Sequence, residues 1–540
     1  MAELTPSLIA ELERIVGPAN VFWRDNELIS YSYDGSIDRG RPNAVVLPGS
    51  TDEVVAIVKA AQRHDLPIVA RGAGTGLSGG AIAHQGIMLG FSRMRRILEV
   101  DTDNMRATVE PGLVNLDLSK AIASRGFYYA PDPSSQAACT LGGNVAENSG
   151  GPHCLAYGVT TNHVLGLEVV LPNGQVVHLG GVSMAGENAG YDLTGAFVGS
   201  EGTLGIVTKI TLRLMRLPEA VCTLLAIFPT IDDASRTVSA IIAAGIIPAA
   251  LEMMDALTIR ALQRAGHPGL PTDAGAVLLI ELEGLDEGMA ELSTVVDGIC
   301  REHHARDVHV ATTAEERTNL WKARKGALGA LGQLAPNYYL QDGVVPRTLL
   351  PEVLQTVQAA SEKYDLPIAN VAHAGDGNLH PCIVFDERIP GQTEKVIAAG
   401  ADILWKCVQV GGTLSGEHGV GLEKQAYMSW LFGPADFAAM RQLKRAFDPD
   451  GRLNPGKVFP TEEQMAAAEA WVQREDGTTD ATADQDVLAQ KEAAATAALA
   501  AATTLTAKSP APVPVTGPVA APYPGGSNGA RNGSGQVPPA

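Results

Sequence analysis

Little in this sequence is aromatic: Phe, Trp and Tyr make up 5% of its 540 residues, while it carries 58 glycines. So much backbone without bulky side chains predicts a chain in close contact with something it holds. Cysteine is sparse and scattered (Cys139, Cys154, Cys222, Cys300, Cys382, Cys407), with no C-x-x-C. That pattern predicts reduced thiols in a cytoplasmic protein and excludes an in-chain iron–sulfur domain of the usual spacing. Positive charge is outnumbered, giving a net charge of −20, and no basic stripe stands out, which argues against a nucleic-acid partner. No apolar run approaches the roughly 20 residues that cross a bilayer. The opening MAELTPSLIAELERIVG carries acids through its apolar positions and reads as an amphipathic helix rather than a secretory signal. The expectation is a soluble protein that reaches a membrane only through a partner.

What is present divides into three regions. From about Pro42 to Leu214, short β-like runs alternate with glycine clusters, as in an α+β domain with much irregular backbone. From Ala220 to about Gly411, CTLLAIF, DDASRTVSAIIAAG and IPAALEMM form one β-α-β unit. AVLLIELEG, EGMAELSTVVDGICREHH and VHVATT form another, which suggests a ferredoxin-like domain. After Arg474 the chain turns Ala/Thr/Asp-rich and then Pro/Gly-rich, the composition of a disordered tail.

The strongest compositional feature is PIVARGAGTGLSGGA, Pro67 to Ala81, with glycines at 72, 74, 76, 79 and 80 after an apolar strand. Successive N–H groups free of Cβ obstruction cradle phosphates. Gly74, Gly76 and Gly79 satisfy G-x-G-x-x-G, but a dinucleotide fingerprint opens a helix. AIAHQGIMLGFSRM reads as strand and turn, so a nicotinamide site of that kind is rejected. Two further glycine clusters, APDPSSQAACTLGGNVAENSGGPHCLAYG and VGSEGTLGIVTKITLRL, favour a large phosphate-bearing cofactor over mere turns.

HAGDGNLH, His373 to His380, reads as a hairpin with Asp376-Gly377 as a two-residue turn, which places His373 opposite His380. The pair either grips a metal or simply stacks, and a catalytic metal wants a third protein ligand. GGTLSGEHGVG offers Glu417 and His418 after a short strand. Both serve one site only if the chain kinks, as Gly416 and Gly419 permit.

RGAGTGLSGGA, PDPSSQAACTLGGNVAEN and GSEGTLGI resemble the flavin-binding domain of the vanillyl-alcohol oxidase/PCMH superfamily. Within it, about Ala10 to Phe459 resembles the FAD-linked subunit of bacterial glycolate oxidase. The resemblance implies an N-terminal helical segment (1–40), a PCMH-type FAD-binding domain (41–218), a ferredoxin-like substrate or cap domain (219–415), a C-terminal FAD-facing segment (416–473) and the tail (474–540). It implies that Arg71, Gly72, Ala73, Gly74, Thr75, Gly76, Leu77 and Ser78 hold the pyrophosphate. Pro131, Ser134, Ser135, Thr140, Gly142, Gly143 and Asn148 then follow the isoalloxazine and ribityl chain. Glu201, Gly202 and Ile206 lie near the adenosine, and Asn454 and Lys457, in FDPDGRLNPGK, near the flavin. The pyrophosphate loop has no histidine or cysteine, so FAD is expected to be non-covalent, with His153 and Cys154 the nearest candidates for a tether.

The same resemblance assigns His373, His380 and Glu417 to a divalent metal (Zn, Fe or Mn), His418 to the base, Arg324 to the substrate carboxylate and Asn378 to substrate or turn. Lys322 and Lys325 read as surface. Leu340 and Cys382 stand where the 2-hydroxyglutarate dehydrogenases of the group carry lysine and asparagine, which points to a small acid, glycolate or D-lactate. The tail lacks cysteine, so electrons are expected to pass to a separate iron–sulfur subunit, with the protein cytoplasmic at the inner membrane face. A stand-alone D-lactate or D-2-hydroxy-acid dehydrogenase, a metal-dependent hydrolase and a non-catalytic flavoprotein assembly subunit are the competing readings.

Overall fold

The computed structural model describes residues 4–181, 190–267 and 269–475. The expected disordered tail lies outside them, except that residues 474 and 475 end a helix, Glu462–Glu475. The helix Pro6–Val16 starts where the Thr5 hydroxyl accepts from the Leu8 N–H, and it buries Leu8, Leu12 and Val16. These pack with Val54, Ile57 and Val58 of the helix Thr51–Arg63.

A four-stranded sheet orders Val21–Phe22, Ala44–Val46, Ile87–Gly90 and Ile68–Arg71, the last three parallel. Its C-terminal rim releases the glycine loop directly after Arg71. The late segment around Leu453 returns to this sheet: Ile68 N–H donates to Arg452 O at 2.8 Å and Asn454 N–H to Ile68 O at 2.8 Å. A five-stranded antiparallel sheet follows, ordered Ile97–Asp101, Arg106–Val109, Ile206–Arg213, Val164–Val170, Val176–Gly180. Along Ile206–Arg213 burial alternates residue by residue, as period-2 side chains require.

Phe127–Tyr128 and Met215–Arg216 form a two-stranded ribbon, and the last sheet is larger than the two β-α-β units alone. Asp307–Val310, Ala220–Phe228, Ala276–Gly284 and Ala250–Asp255 take the ferredoxin-like order, and the strands Ile368–His373, Asn378–Phe385 and Asn337–Leu340 extend the sheet beyond Ala250–Asp255. The helices Ile231–Ala243 and Met289–Glu302 cover one face, and Ala256–Arg264 with Ala314–Ala330 cover the other. No helix among the described residues is long and apolar enough to cross a membrane.

The hairpin differs from the sequence expectation. His373 pairs with Asn378, and His380 pairs with Val371, so the loop holds four residues instead of two. Tertiary contacts set this register. Gly375 N–H donates to Leu251 O, Arg347 donates to Gly375 O, and the Asp376 carboxylate accepts from Asn378 N–H. The shift is two residues, which keeps both histidines on one face.

Candidate active site

A cavity of about 350 Å³ lies between the glycine loops and the face of the large sheet that carries the helix Ala314–Ala330. Its wall includes Arg71 to Leu77, Ser134, Ser135, Thr140, Gly142, Gly143, Glu201, Gly202, Arg324, His373, His380, Glu417 and His418. The cradle is tight where glycine is needed. A Cβ on Gly72 would stand 2.3 Å from Thr140 Oγ1, and one on Gly142 would stand 2.6 Å from Pro111 Cβ. Arg71 donates one guanidinium nitrogen to Tyr33 O at 2.8 Å, while its buried Nη1 finds no partner among the described residues. An orphaned buried cation beside a loop of bare N–H groups fits a phosphate-bearing cofactor.

The remaining expected cofactor residues stand behind this wall. Ser78 O accepts from Leu422 and Glu423 N–H, and Pro131 O accepts from Asn115 Nδ2 at 3.0 Å. Asn148 ends the helix Leu141–Glu147 in the left-handed region and accepts from Thr161 N–H. Ile206 is core. Asn454 Nδ2 ties Gly80 O to Glu201 O (2.8 and 2.6 Å), and Lys457 Nζ donates to Ile82 O at 2.7 Å. These two residues brace the glycine-rich loops against each other.

At the other end of the cavity three imidazoles converge on one oxygen. Glu417 Oε1 lies 3.1 Å from His373 Nε2, 3.3 Å from His380 Nε2 and 3.9 Å from His418 Nε2. Ligands about 2.0–2.1 Å from a tetrahedral metal are roughly 3.3 Å apart. His373, His380 and Glu417 therefore have the spacing of a coordination sphere, and Glu417 Oε2 is buried without a partner among the described residues. The far ring nitrogens are oriented as metal ligands need. His373 Nδ1 is 2.9 Å from both Glu252 oxygens, and His380 Nδ1 is 3.3 Å from Gln341 O. Burial opposes charge on His373, yet Glu252 and Glu417 raise its pKa well above the usual value. His418 stacks on His380 at 4.9 Å, and burial lowers its pKa to about 4 against the pull of Asp342, so it stays neutral near pH 7.

Several of these partners gave no recognised signal in the sequence. Asp342 is fully buried, and its Oδ2 accepts from the N–H groups of Gly416, Glu417 and His418 and from Ser415 Oγ. The expected short strand before Glu417 reduces to isolated bridges, and this carboxylate makes the kink together with Gly419 at φ +83°. Glu252 lies in LEMMD, a charge in the middle of a buried strand whose only other charge, Asp255, ends it and caps the next helix. That was the available clue.

Arg324 is buried and lines the cavity, but its fork is not free. Nη2 pairs with Glu252 at 2.5 Å and lies 3.4 Å from His373 Nδ1, leaving Nε without a partner among the described residues. Asn378 stands opposite His373 and beside Gly416. It lines a second cavity of about 190 Å³ that shares His373 and Glu417 with the first. Lys322 is exposed as expected, whereas Lys325 lines the main cavity and pairs with Asp132 at 2.8 Å. Leu340 and Cys382 prove to be a directly opposed, buried pair outside the cavity wall, and the Cys382 thiol donates to His380 O instead of joining the imidazoles. His153 and Cys154 likewise stay off the main cavity.

Residues 42–180 match the family described as "FAD binding domain" and residues 217–458 the family "FAD linked oxidases, C-terminal domain". The glycolate oxidase subunit GlcD of Escherichia coli K12 is 46% identical over 459 residues, covering 85% of this chain and 91% of that protein. The chain belongs to the FAD-linked oxidases. Another relative in this family is the Bacillus subtilis GlcD subunit, 44% identical over 84% of this chain and 97% of that protein. A D-lactate dehydrogenase of Anaerostipes hadrus is 32% identical over 84% and 98%. Among solved structures, p-cresol methylhydroxylase with substrate bound superposes with a TM-score of 0.71 at 18% identity, over 84% of this chain and 96% of that one. That likeness carries the PCMH-type fold. The protein is an FAD-dependent oxidoreductase.

Proposed function

We propose that the protein oxidises glycolate, and also D-lactate, to the 2-oxo acid. The observation that carries this reading is the convergence of His373, His380, Glu417 and His418 on one point of the cavity wall that the FAD loops complete. When bound, FAD supplies the acceptor for the α-hydrogen as hydride, and a divalent metal on His373, His380 and Glu417 supplies Lewis acidity toward the substrate hydroxyl. His418, neutral because it is buried, takes the hydroxyl proton on Nε2. Arg324 receives the substrate carboxylate, oriented by Glu252. Glu252 also fixes His373, so one buried carboxylate sets two of the site's groups.

The names of the GlcD relatives support a subunit of a larger assembly. In our reading electrons leave for a separate iron–sulfur subunit, with the protein cytoplasmic and drawn to the membrane by that partner. Leu340 and Cys382 lie outside the cavity wall, so the choice of a small acid rests on the GlcD and D-lactate dehydrogenase relatives. The decisive experiment is anaerobic bleaching of the flavin by a panel of 2-hydroxy acids. Rapid bleaching by glycolate with weaker bleaching by D-lactate is expected. Bleaching by D-lactate alone would make this a stand-alone D-lactate dehydrogenase, and bleaching only by 2-hydroxyglutarate would overturn the substrate assignment.

A further inference from the structure

A chain of alternating charges joins the flavin side of the cavity to its substrate side. Asp132 precedes Pro133, Ser134 and Ser135, which line the cavity. Its Oδ2 accepts from Lys325 Nζ at 2.8 Å and lies 3.0 Å from His153 Nδ1, and its Oδ1 accepts from His153 N–H at 3.3 Å. Lys325 follows Arg324 on the helix Ala314–Ala330 and itself lines the cavity. On its other side His153 Nε2 is 3.2 Å from Glu281 Oε1, on the strand Ala276–Gly284 of the large sheet. Glu281 Oε2 accepts from Trp321 Nε1 at 2.6 Å and from Thr223 Oγ1 at 2.7 Å. The Trp321 ring stacks on His153 at 5.3 Å and has Lys325 Nζ 5.5 Å from its centroid, which partly shields the cluster from solvent. Burial opposes charge on His153, but Asp132 and Glu281 raise its pKa to about 10.

Buried ion pairs are weak devices for stability, because desolvation offsets most of their attraction. They are strong devices for geometry, since each oxygen and nitrogen accepts only certain directions. Lys325 stands next to Arg324, and its partner Asp132 stands next to the Pro133–Ser135 wall, while His153 and Glu281 tie Asp132 to the large sheet. Hydride transfer needs reacting atoms about 3–3.5 Å apart, and a misplacement of about 1 Å costs roughly a hundredfold in rate. We propose that Lys325, Asp132, His153 and Glu281 form a positioning clamp that holds the Arg324 helix at a fixed distance from the flavin wall for hydride transfer. The clamp rests on the reading of the protein as a 2-hydroxy-acid oxidoreductase.

The test compares Lys325→Met, Asp132→Asn and Lys325→Arg in the FAD-loaded protein by anaerobic stopped-flow flavin reduction with glycolate and 2-deuterated glycolate. Hydrogen exchange is followed in parallel over residues 131–135 and 320–328. Lys325→Met and Asp132→Asn are expected to lower the limiting reduction rate roughly 10- to 100-fold with a full isotope effect. KM should stay within about threefold, FAD content should hold, and exchange should rise in both segments together. Lys325→Arg should recover most of the rate. Limiting rates within about twofold of the unaltered protein would overturn the clamp. An arginine variant that falls as far as the methionine one, alongside a matching drop in melting temperature, would reduce it to packing and overturn it equally. If the unaltered protein is bleached by no 2-hydroxy acid, the proposed function fails, and exchange alone judges the clamp: unchanged exchange in both segments refutes it.

Discussion

Replacing Asp342 by asparagine removes one charge and leaves nearly the same shape, so its effect isolates what that charge does. The carboxylate accepts three successive backbone N–H groups, at 2.9, 3.1 and 2.9 Å, that belong to Gly416, Glu417 and His418. Burial opposes its ionisation, but His418, Lys424 and His380 hold the carboxyl well below the usual range. A hydrogen bond to a charged group contributes about 1.5–3 kcal/mol and a neutral one about 0.5–1.5, so each of the three loses about 1 kcal/mol in the amide. The loop conformation that presents Glu417 and His418 is then weakened by about 3 kcal/mol, or roughly a hundredfold in population. Lys424 Nζ, fully buried and 3.3 Å from Asp342 Oδ2, also loses its counter-charge. Asp342→Asn is therefore expected to keep FAD, since the glycine cradle is untouched, while its anaerobic flavin reduction slows about a hundredfold and its metal content falls. Adding Lys424→Met should restore melting temperature without restoring rate. If Asp342→Asn reduces its flavin within about threefold of the normal rate, the argument that this carboxylate shapes the loop is wrong.

Chelation tests the proposed metal apart from the flavin: treatment with a strong chelator is expected to abolish substrate bleaching and leave the flavin spectrum intact, and Glu417→Gln should behave the same way before any chelator is added. Gly72→Ala places a methyl 2.3 Å from Thr140 Oγ1, whose hydroxyl caps the helix Leu141–Glu147, so FAD content after purification should fall severalfold; full occupancy would contradict the fit of the cradle. His153 has its pKa raised in the folded protein to about 10, against burial, so the stability it adds is complete below about pH 6.5 and is lost as pH rises toward 10. The melting temperature of His153→Gln should therefore differ most from the unaltered protein at pH 6 and converge with it near pH 10, and a constant difference would refute the sign.

How much of this was legible depended on whether the signal was local. The glycine loops announced themselves because close backbone approach is written in composition, and the ferredoxin-like order followed from two β-α-β runs of the right length. Glu252, Glu281 and Asp132 were passed over because their partners lie far along the chain: Glu252 meets Arg324 and His373, and Asp132 meets Lys325. An acid within a buried stretch of strand, as Glu252 in LEMMD or Glu281 in IELEG, is a sign that a distant cation must come to it. Lys325 looked like surface because neighbouring lysines on a helix usually are, and only the fold brings Asp132 beneath it.

The hairpin shows which errors a site tolerates. The sequence predicts a two-residue turn at Asp376-Gly377, but the loop runs from Ala374 to Gly377, and His373 faces Asn378. Because side chains on a strand alternate with period 2, a slip of two residues exchanges opposed neighbours for diagonal ones and keeps them on one face. The two rings still meet at 5.0 Å, edge to face. A slip of one residue would have turned one histidine into the opposite core and destroyed the centre. Glu417 and His418 have no such protection, since adjacent residues on extended chain point apart. They share a site only because Asp342 gathers their N–H groups and turns the chain. The strand supplies half of the centre through periodicity, and a buried carboxylate supplies the other half through charge. The second half is where a single substitution does the most damage.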